Sequence, residues 1–429
     1  MPKLNPSPPH WPGRGRVVVA FSGGPDSLCL LHRLRAEGCT RPLTCLHVDH
    51  GLDRDSGKRA RAANRLAMAT ETECHVLHVD VNPGDSPEAA ARRARYNAIE
   101  AFMRDGDVVL TAHHADDQVE TVLMRLLRGA GPAGLGGIPR QRRFGPGWLV
   151  RPLLDWKRAD IEHFIDQHGL SPIHDPANDS SGFDRNFIGQ QLMPIIRRRW
   201  PGAGRSVLRS GRLCRGAAET LAELAAEDLD HDLLAPTCLR LAHSRRSNPY
   251  RLGEMLRHWC HRQGLAAPPG RRIEQFIEQV QEAGSDRQPA LAWEQGTIRH
   301  WRDRLWLQPG PEPPRHWTLD WRSDRALDLP GGIGRFELSG AEHPPTALQI
   351  CSGRSGEHLK PAGQAHHRPV AKLLAERDIP PWQRDCWPRI YLNGQLVGVG
   401  DVWHSEKLRD WLGSANAQLS WLTSLYRGC

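Results

Sequence analysis

Paired cysteines are missing from this chain: its ten cysteines, at 29, 39, 45, 74, 214, 238, 260, 351, 386 and 429, include no CxxC. That spacing argues against a structural zinc or dithiol redox centre, and it fits packed, reduced thiols in a cytoplasmic protein. The first residues, "MPKLNPSPPHWPGRGR", lack the apolar stretch of a secretory signal. No run of about 18 apolar residues occurs, so no membrane span is expected. Internal repeats and long low-complexity segments are also absent. What the chain does have is length, 429 residues, and a basic excess of 57 Lys and Arg over 49 Asp and Glu. The length calls for two or three domains. The net charge of +8 points to an anionic partner, with nucleic acid the leading choice.

The first 200 residues alternate between two periods. "RVVVAF", "PLTCLHVDH", "CHVLHVD" and "DVVLTAHH" read as buried strands. "SLCLLHRLRAEG", "KRARAANRLAMAT", "SPEAAARRARYNAIEAFMRDG" and "DDQVETVLMRLLRG" read as the helices between and after them, the third opening with Ser86 as N-cap and Pro87 at its first position. Such alternation predicts a parallel sheet covered on both faces, with its ligands at one edge. Beyond "RRWPGAGRS" the pattern becomes helical over 206–233, with further helices at "PYRLGEMLRHWCHRQG" and "RRIEQFIEQVQEAG", and strand and turn at "TIRHWRDRLWLQPG". "PGPEPP" at 309–314 reads as a connector, followed by a terminal module of short strands around a helix. The expected division is 1–215, 216–325 and 326–429.

The first strand runs into "SGGPDS", Ser22 to Ser27. Unpaired backbone N–H groups at such a turn and at the helix start behind it receive anions. Gly23 and Gly24 admit a close backbone path, Pro25 stiffens it, and the hydroxyls of Ser22 and Ser27 add donors. Asp26 is out of place beside phosphates unless a cation intervenes, which implies magnesium. An ordinary strand-to-helix turn is the plainer alternative. The segment matches neither GxxxxGK[ST] nor GxGxxG, so a Walker ATPase or dinucleotide site is poorly supported.

"SGGPDS" resembles the signature of the PP-loop ATP pyrophosphatases. Further segments resemble one branch of them, the tRNA(Ile)-lysidine synthetases: "HVDHGL" at 47–52, "ARRARY" at 91–96, "TAHHADDQVET" at 111–121, "LLRGAGPAGLGG" at 126–137, "RPLL" at 151–154 and "HDPANDSSGFDRNF" at 174–187. The resemblance implies an α/β PP-loop (adenine nucleotide alpha hydrolase-like) domain, a helical middle domain and a small α+β C-terminal domain. The implied activity is ATP-dependent attachment of lysine, through its side-chain amine, to C2 of the wobble cytidine in the isoleucine tRNA with a CAU anticodon. AMP and pyrophosphate are its by-products, ATP and Mg2+ its cofactors, tRNA and free lysine its partners. A homodimer in the cytoplasm is the expected setting.

The family pattern also implies site residues. Ser22, Gly23, Gly24, Pro25, Asp26 and Ser27 would hold the nucleotide, with His47, Val48 and Asp49 near the adenosine; His50 reads equally well as a strand-end residue. Asp117 and Glu120, three apart on a helix face, would take lysine's ammonium. His113 would lie at the reaction centre, with Asp26 and with Arg92, Arg95 and Arg185 toward phosphate. Zinc held by His113, His114 and Asp117 is a competing reading, as are a sulfur-transferring PP-loop enzyme, an amidotransferase synthetase and a tRNA-binding protein without turnover. One departure stands out: the family's RNxxR here reads "RNFIG", with Gly189 in place of an arginine, for which Arg197–Arg199 or Arg205 could compensate. Basic groups in 140–158, namely Arg142, Arg143, Arg151, Lys157 and Arg158, together with Arg197–Arg199, suit RNA phosphates. "LLAERDIPPWQRD" resembles the family's C-terminal domain, where Arg354, Lys360, His367, Arg368, Lys372, Arg377 and Arg384 could face the tRNA, and Trp382 could stack on a base or be half-buried in the domain.

Overall fold

The structure is a computed structural model and describes the chain apart from residues 1, 8–9, 52–53, 82–86, 175–183, 243–247, 284–286, 313, 315, 341–346, 355 and 424–429, with backbone only at 87–89. Ser86 and most of the "HDPANDSSGF" segment therefore lie outside the described residues. The chain forms two compact units, Met1–Thr220 and Leu221–Cys429.

In the first unit six strands form one sheet: β1 (Val17–Ala20), β2 (Leu43–Asp49), β3 (Glu73–His78), β4 (Val108–Leu110), β5 (Gln141–Phe144) and β6 (Gly147–Val150). Their order is β3-β2-β1-β4-β6-β5. All neighbours are parallel except the β5–β6 hairpin. Val17, Val18 and Val19 are fully buried, as a strand sandwiched between helix layers requires. On one face α1 (Pro25–Ala36), α2 (Ser56–Met68) and α6 (Arg158–Gln167) enclose a core that includes Phe21, Leu31, Ala63, Trp156 and Phe164. On the other, α3 (Pro87–Phe102) packs Ile99 against Val18, Leu46 and Val109. The β5–β6 hairpin lies in a segment that its sequence marked only as basic.

Strand order reverses between β1 and β4, and a crevice opens beyond the carboxyl ends of strands at such a switch point. β1 delivers Phe21–Gly24 to it and β4 delivers Thr111–His114. The two strand starts are pinned by Asp107, whose side chain is 1% exposed. Its carboxylate accepts from the backbone N–H of Arg16 (2.8 Å) and of Arg104 (2.9 Å), and from Arg16 Nη2 (2.7 Å). The remaining helices are α4 (Ala115–Leu127), α5 (Pro132–Leu135), α7 (Asp184–Phe187), α8 (Met193–Arg199) and α9 (Ala203–Asp232). A π-turn over Ile188–Leu192 joins α7 to α8.

The second unit holds two cores. In one, helices Pro249–Arg262 and Gly270–Glu282 cover a five-stranded antiparallel sheet. The helices match the sequence reading, while the extent of the sheet exceeds it. In the other, short strands surround helix Val370–Glu376. Trp382 is half-buried against Trp301 and Trp306, each 6.3 Å away between ring centroids, so it is a packing residue here.

Because Asp107 ties two backbone N–H groups and a guanidinium, Asp107→Ala leaves buried donors without an acceptor. The expected cost is about 3 kcal/mol, read as faster hydrogen exchange at the β1 and β4 amides; unchanged protection would remove this role.

Candidate active site

The glycine turn after β1 is built largely from its own polar groups. Gly23 has φ +80, and a Cβ there would lie 2.4 Å from Ile173 Cδ1, so glycine is required on both counts. The backbone N–H of Gly23 donates to Ser27 Oγ (3.1 Å) and that of Gly24 to Ser22 Oγ (3.3 Å). The two hydroxyls lie 3.1 Å apart. Ser22 and Ser27 thus shape the loop as acceptors, and Pro25 opens α1 at its first position behind the Gly24 N-cap. Asp26, in the first turn of α1, projects toward the β4 side.

His114 caps α4 with extended backbone, its N–H donating to Asp117 Oδ2 at 2.8 Å. His113 therefore belongs to the strand exit, and only Asp117 and Glu120 share a helix face. The His114 imidazole, 4% exposed, has Nε2 3.8 Å from Asp26 Oδ1 and 3.7 Å from Asp117 Oδ1. One ring thereby spans the phosphate turn and the acidic helix. Sequence reasoning considered His114 only as a zinc ligand; the doubled histidine at a strand end was the available signal.

Arg185, from α7, closes the other side. Its Nη2 donates to Asp117 Oδ1 (2.5 Å) and its Nε to Glu120 Oε2 (3.0 Å). Burial pushes the Asp117 carboxyl up, but His114, Arg185 and the His114 backbone N–H outweigh it and hold it below the carboxylate range. Burial lifts Glu120, Arg185 offsets part of this, and Asp117 adds to it, so Glu120 stays above its usual value. Asp26 is raised too, first by burial, with His114 opposing and Asp117 reinforcing. The two carboxyls of α4 are therefore unequal.

His113 is bonded to Thr111 Oγ1 at 2.9 Å. Burial depresses its imidazole to about 3, with Asp117 opposing and the Arg151, Arg185 and Arg92 charges adding to the depression. It is a neutral group at the centre, not a cation for phosphate. Among the described residues no His, Cys, Asp or Glu cluster suits a metal, so the zinc reading has no support.

The other expected residues spread around this centre. His47 is buried and binds the Phe21 carbonyl through Nδ1 at 2.9 Å, tying β2 to the base of the glycine turn. Val48 packs in the core under α3, and Asp49 accepts from the Gly51 N–H at 3.0 Å. Arg92 stacks on Tyr96 at 4.9 Å, exposed but close enough to act on His113. Arg95, also exposed, acts on His50. Arg151 is buried and donates to the Pro139 carbonyl at 2.6 Å, which corrects the expectation of a surface phosphate contact. Arg158, expected as a phosphate contact for RNA, carries its charge to Asp26 and Glu120.

Gly189 has a specific consequence. It lies in the π-turn, where a Cβ would sit 2.5 Å from Glu120 Oε1. Glycine leaves room for Glu120 to reach Arg185; a larger residue would drive that carboxylate away. Of the suggested substitutes, Arg197 bonds Asp116, and Arg205 lines a cavity on the opposite side of α4.

A neutral imidazole contributes polarity without titrating near neutrality. His113→Gln is expected to slow turnover while leaving every inflection of the pH–rate profile between about pH 5 and pH 8 in place. Disappearance of an inflection would show that His113 does titrate there.

Residues 4–196 match the PP-loop domain family, 239–306 the TilS substrate binding domain and 348–421 the TilS substrate C-terminal domain. The tRNA(Ile)-lysidine synthase of Alkalilimnicola ehrlichii is 39% identical over 400 residues, covering 90% of this chain and 89% of that protein. That of Methylococcus capsulatus is 37% identical, covering 89% and 90%. Among solved structures, the U34-tRNA thiolase NcsA of Methanococcus maripaludis aligns with a TM-score of 0.40 at 18% identity, over 47% of this chain and 72% of that one. With near-complete coverage by relatives above a third identity, the chain belongs to the tRNA(Ile)-lysidine synthase family of PP-loop proteins.

Proposed function

We propose that the chain carries out its family's ATP-dependent lysidine formation on the CAU isoleucine tRNA at the junction of β1 and β4, with the roles that follow. The observation that carries this assignment is His114, within 3.8 Å of both Asp26 and Asp117, which makes phosphate turn and acidic helix one site.

The triphosphate lies against the Gly23–Ser27 backbone and the N-terminus of α1. Asp26 suits Mg2+: its carboxyl is raised by burial and a neighbouring acid, a situation a divalent cation relieves, and Mg2+ is commonly held by one or two carboxylates plus phosphates. When bound, the ion neutralises phosphate charge.

The cytidine C2 oxygen attacks the α-phosphorus; an O–P bond forms, the bond to the bridging oxygen breaks, and pyrophosphate leaves. The lysine amine then attacks C2, the C2–O bond breaks, and AMP departs with that oxygen. Arg185 favours the first step by meeting phosphate oxygens in a forked geometry, and neutral His113 supplies a hydrogen bond at the centre. Lysine's ammonium settles between Asp117 and Glu120 and must release a proton before attack. Asp117, kept ionised, is the anchor. Glu120, held high, is the better acceptor of that proton.

The tRNA is gripped by all three parts of the chain, divided near 215 and 325. Several C-terminal cations expected to face it have protein partners: Arg368 pairs with Glu376, and Arg377 lies over Trp403. The free, mostly buried cysteines among the described residues support a reducing cytoplasm as the setting.

Purified protein with ATP, Mg2+, labelled lysine and the CAU isoleucine transcript should incorporate label, and the CAU methionine transcript should not. Asp117→Asn should raise the KM for lysine about tenfold or more, whereas Glu120→Gln should act mainly on kcat, each change reading one interaction; the reverse pattern would exchange the two roles. Arg185 now occupies the sites an ammonium needs. Lysine binding measured by calorimetry should therefore tighten about tenfold when a nonhydrolysable ATP analogue draws Arg185 to phosphate; equal affinity with and without the analogue would rule this coupling out.

A further inference from the structure

Helix α4 has a second face. Asp117 and Glu120 point to the reaction centre, while Ala115, Gln118 and Val122 line a cavity of about 310 Å3 between α4, the α5 loop and α9. Nothing in the chemistry above uses this space. Its volume is at the low end of the range for ligand pockets.

The cavity exists because glycines let three elements approach. A Cβ at Gly211 would be 3.2 Å from the Leu135 carbonyl oxygen and 3.3 Å from Val122 Cγ2. The "GAGPAGLGG" wall is held by its carbonyls: Arg125 donates to those of Gly134 and Gly137, and Arg215 to those of Gly136 and Ile138. These two guanidiniums are spent on structure. Asp155, the acid in the lining, is neutralised by Arg140 at 2.8 and 3.0 Å and also accepts from Asn5.

Arg205 and Arg212 are different. They stand on the same side of α9 at the cavity rim, both exposed; neither forms an ion pair among the described residues, and Arg212 acts on Asp155 only through space. Two turns of helix separate their Cα atoms by roughly 10 Å. Exposed guanidiniums at that spacing suit successive phosphates of a polynucleotide backbone passing over the cavity. The aliphatic floor of Ala115, Val122 and Leu208 accepts a sugar or base edge without base-specific hydrogen bonds.

We propose that this cavity, with Arg205 and Arg212, is a backbone subsite for the tRNA nucleotides next to the reacting cytidine. The inference rests on the lysidine-forming activity and assigns a place for its RNA substrate. α4 is about 10–12 Å across with its side chains, so RNA held on its rear face lies one helix diameter from Asp117 and Glu120. The helix that presents the amine site then also fixes the strand carrying the base.

The test compares wild type, R205E/R212E and R205K/R212K with full-length CAU isoleucine tRNA and with its isolated anticodon stem-loop. Charge reversal should raise the KM for both RNAs about tenfold or more and flatten the slope of log affinity against log salt by about 1.5, the loss of two single-strand phosphate contacts. The lysine pair should keep most of that slope. Affinity for a nonhydrolysable ATP analogue serves as the fold control. An unchanged RNA KM, a raised KM with the full slope retained, or an effect on whole tRNA but not on the stem-loop would each overturn the subsite. If wild type attaches no lysine to either RNA, the activity itself fails, and that result is distinct from these.

Discussion

The site depends on a compromise between negative charges. Asp26, Asp116 and Asp117 crowd one histidine beside the glycine turn, and Glu120 lies one helical turn further on. Unpaired buried charges cost several kcal/mol each, so this crowding persists only because cations answer it. Arg185 bridges Asp117 and Glu120, while Arg197 and the Arg158 backbone N–H engage Asp116. Asp26 feels the His114, Arg158 and Arg185 charges, yet burial and Asp117 outweigh them and its carboxyl stays raised.

The scaffold serves that compromise by geometry. β1 and β4 are adjacent parallel strands, so their exits point the same way and their loops meet. Asp107 ties the starts of β1 and β4, while His47, on β2, holds the exit of β1 under the glycine turn. α4 then presents its acids to the junction and its aliphatic residues to the rear cavity. Gly189 and Gly211 do comparable work on its two sides, one admitting Glu120 to Arg185 and the other admitting α9 to α4.

The parallel sheet and its phosphate turn were readable because each strand is short, apolar and closed by a helix of the right period. Asp117 and Glu120 were readable for the same reason, since three-residue spacing on a helix is a local property. The antiparallel sheet of the second unit was not, because a strand such as Ala290–Trp293 is specified by its partner Gly296–Trp301 more than by its own pattern. Arginine was the least legible residue. Arg151, Arg158, Arg197 and Arg205 look alike in sequence, yet one is buried on a carbonyl, two tune the acidic cluster and one stands on a cavity rim.

By itself the sequence determined the order of elements from β1 to α4, the backbone path at Gly23 and the family, because periodicity, φ and motif spacing are properties of neighbouring residues. The tertiary structure alone decided that His114 stands between Asp26 and Asp117, that Arg185 bridges Asp117 and Glu120, and that Gly189 has Glu120 against it. Those facts join residues up to 88 positions apart, the separation of Asp26 and His114 along the chain. Distances across such separations come only from the packing of the sheet and its helices.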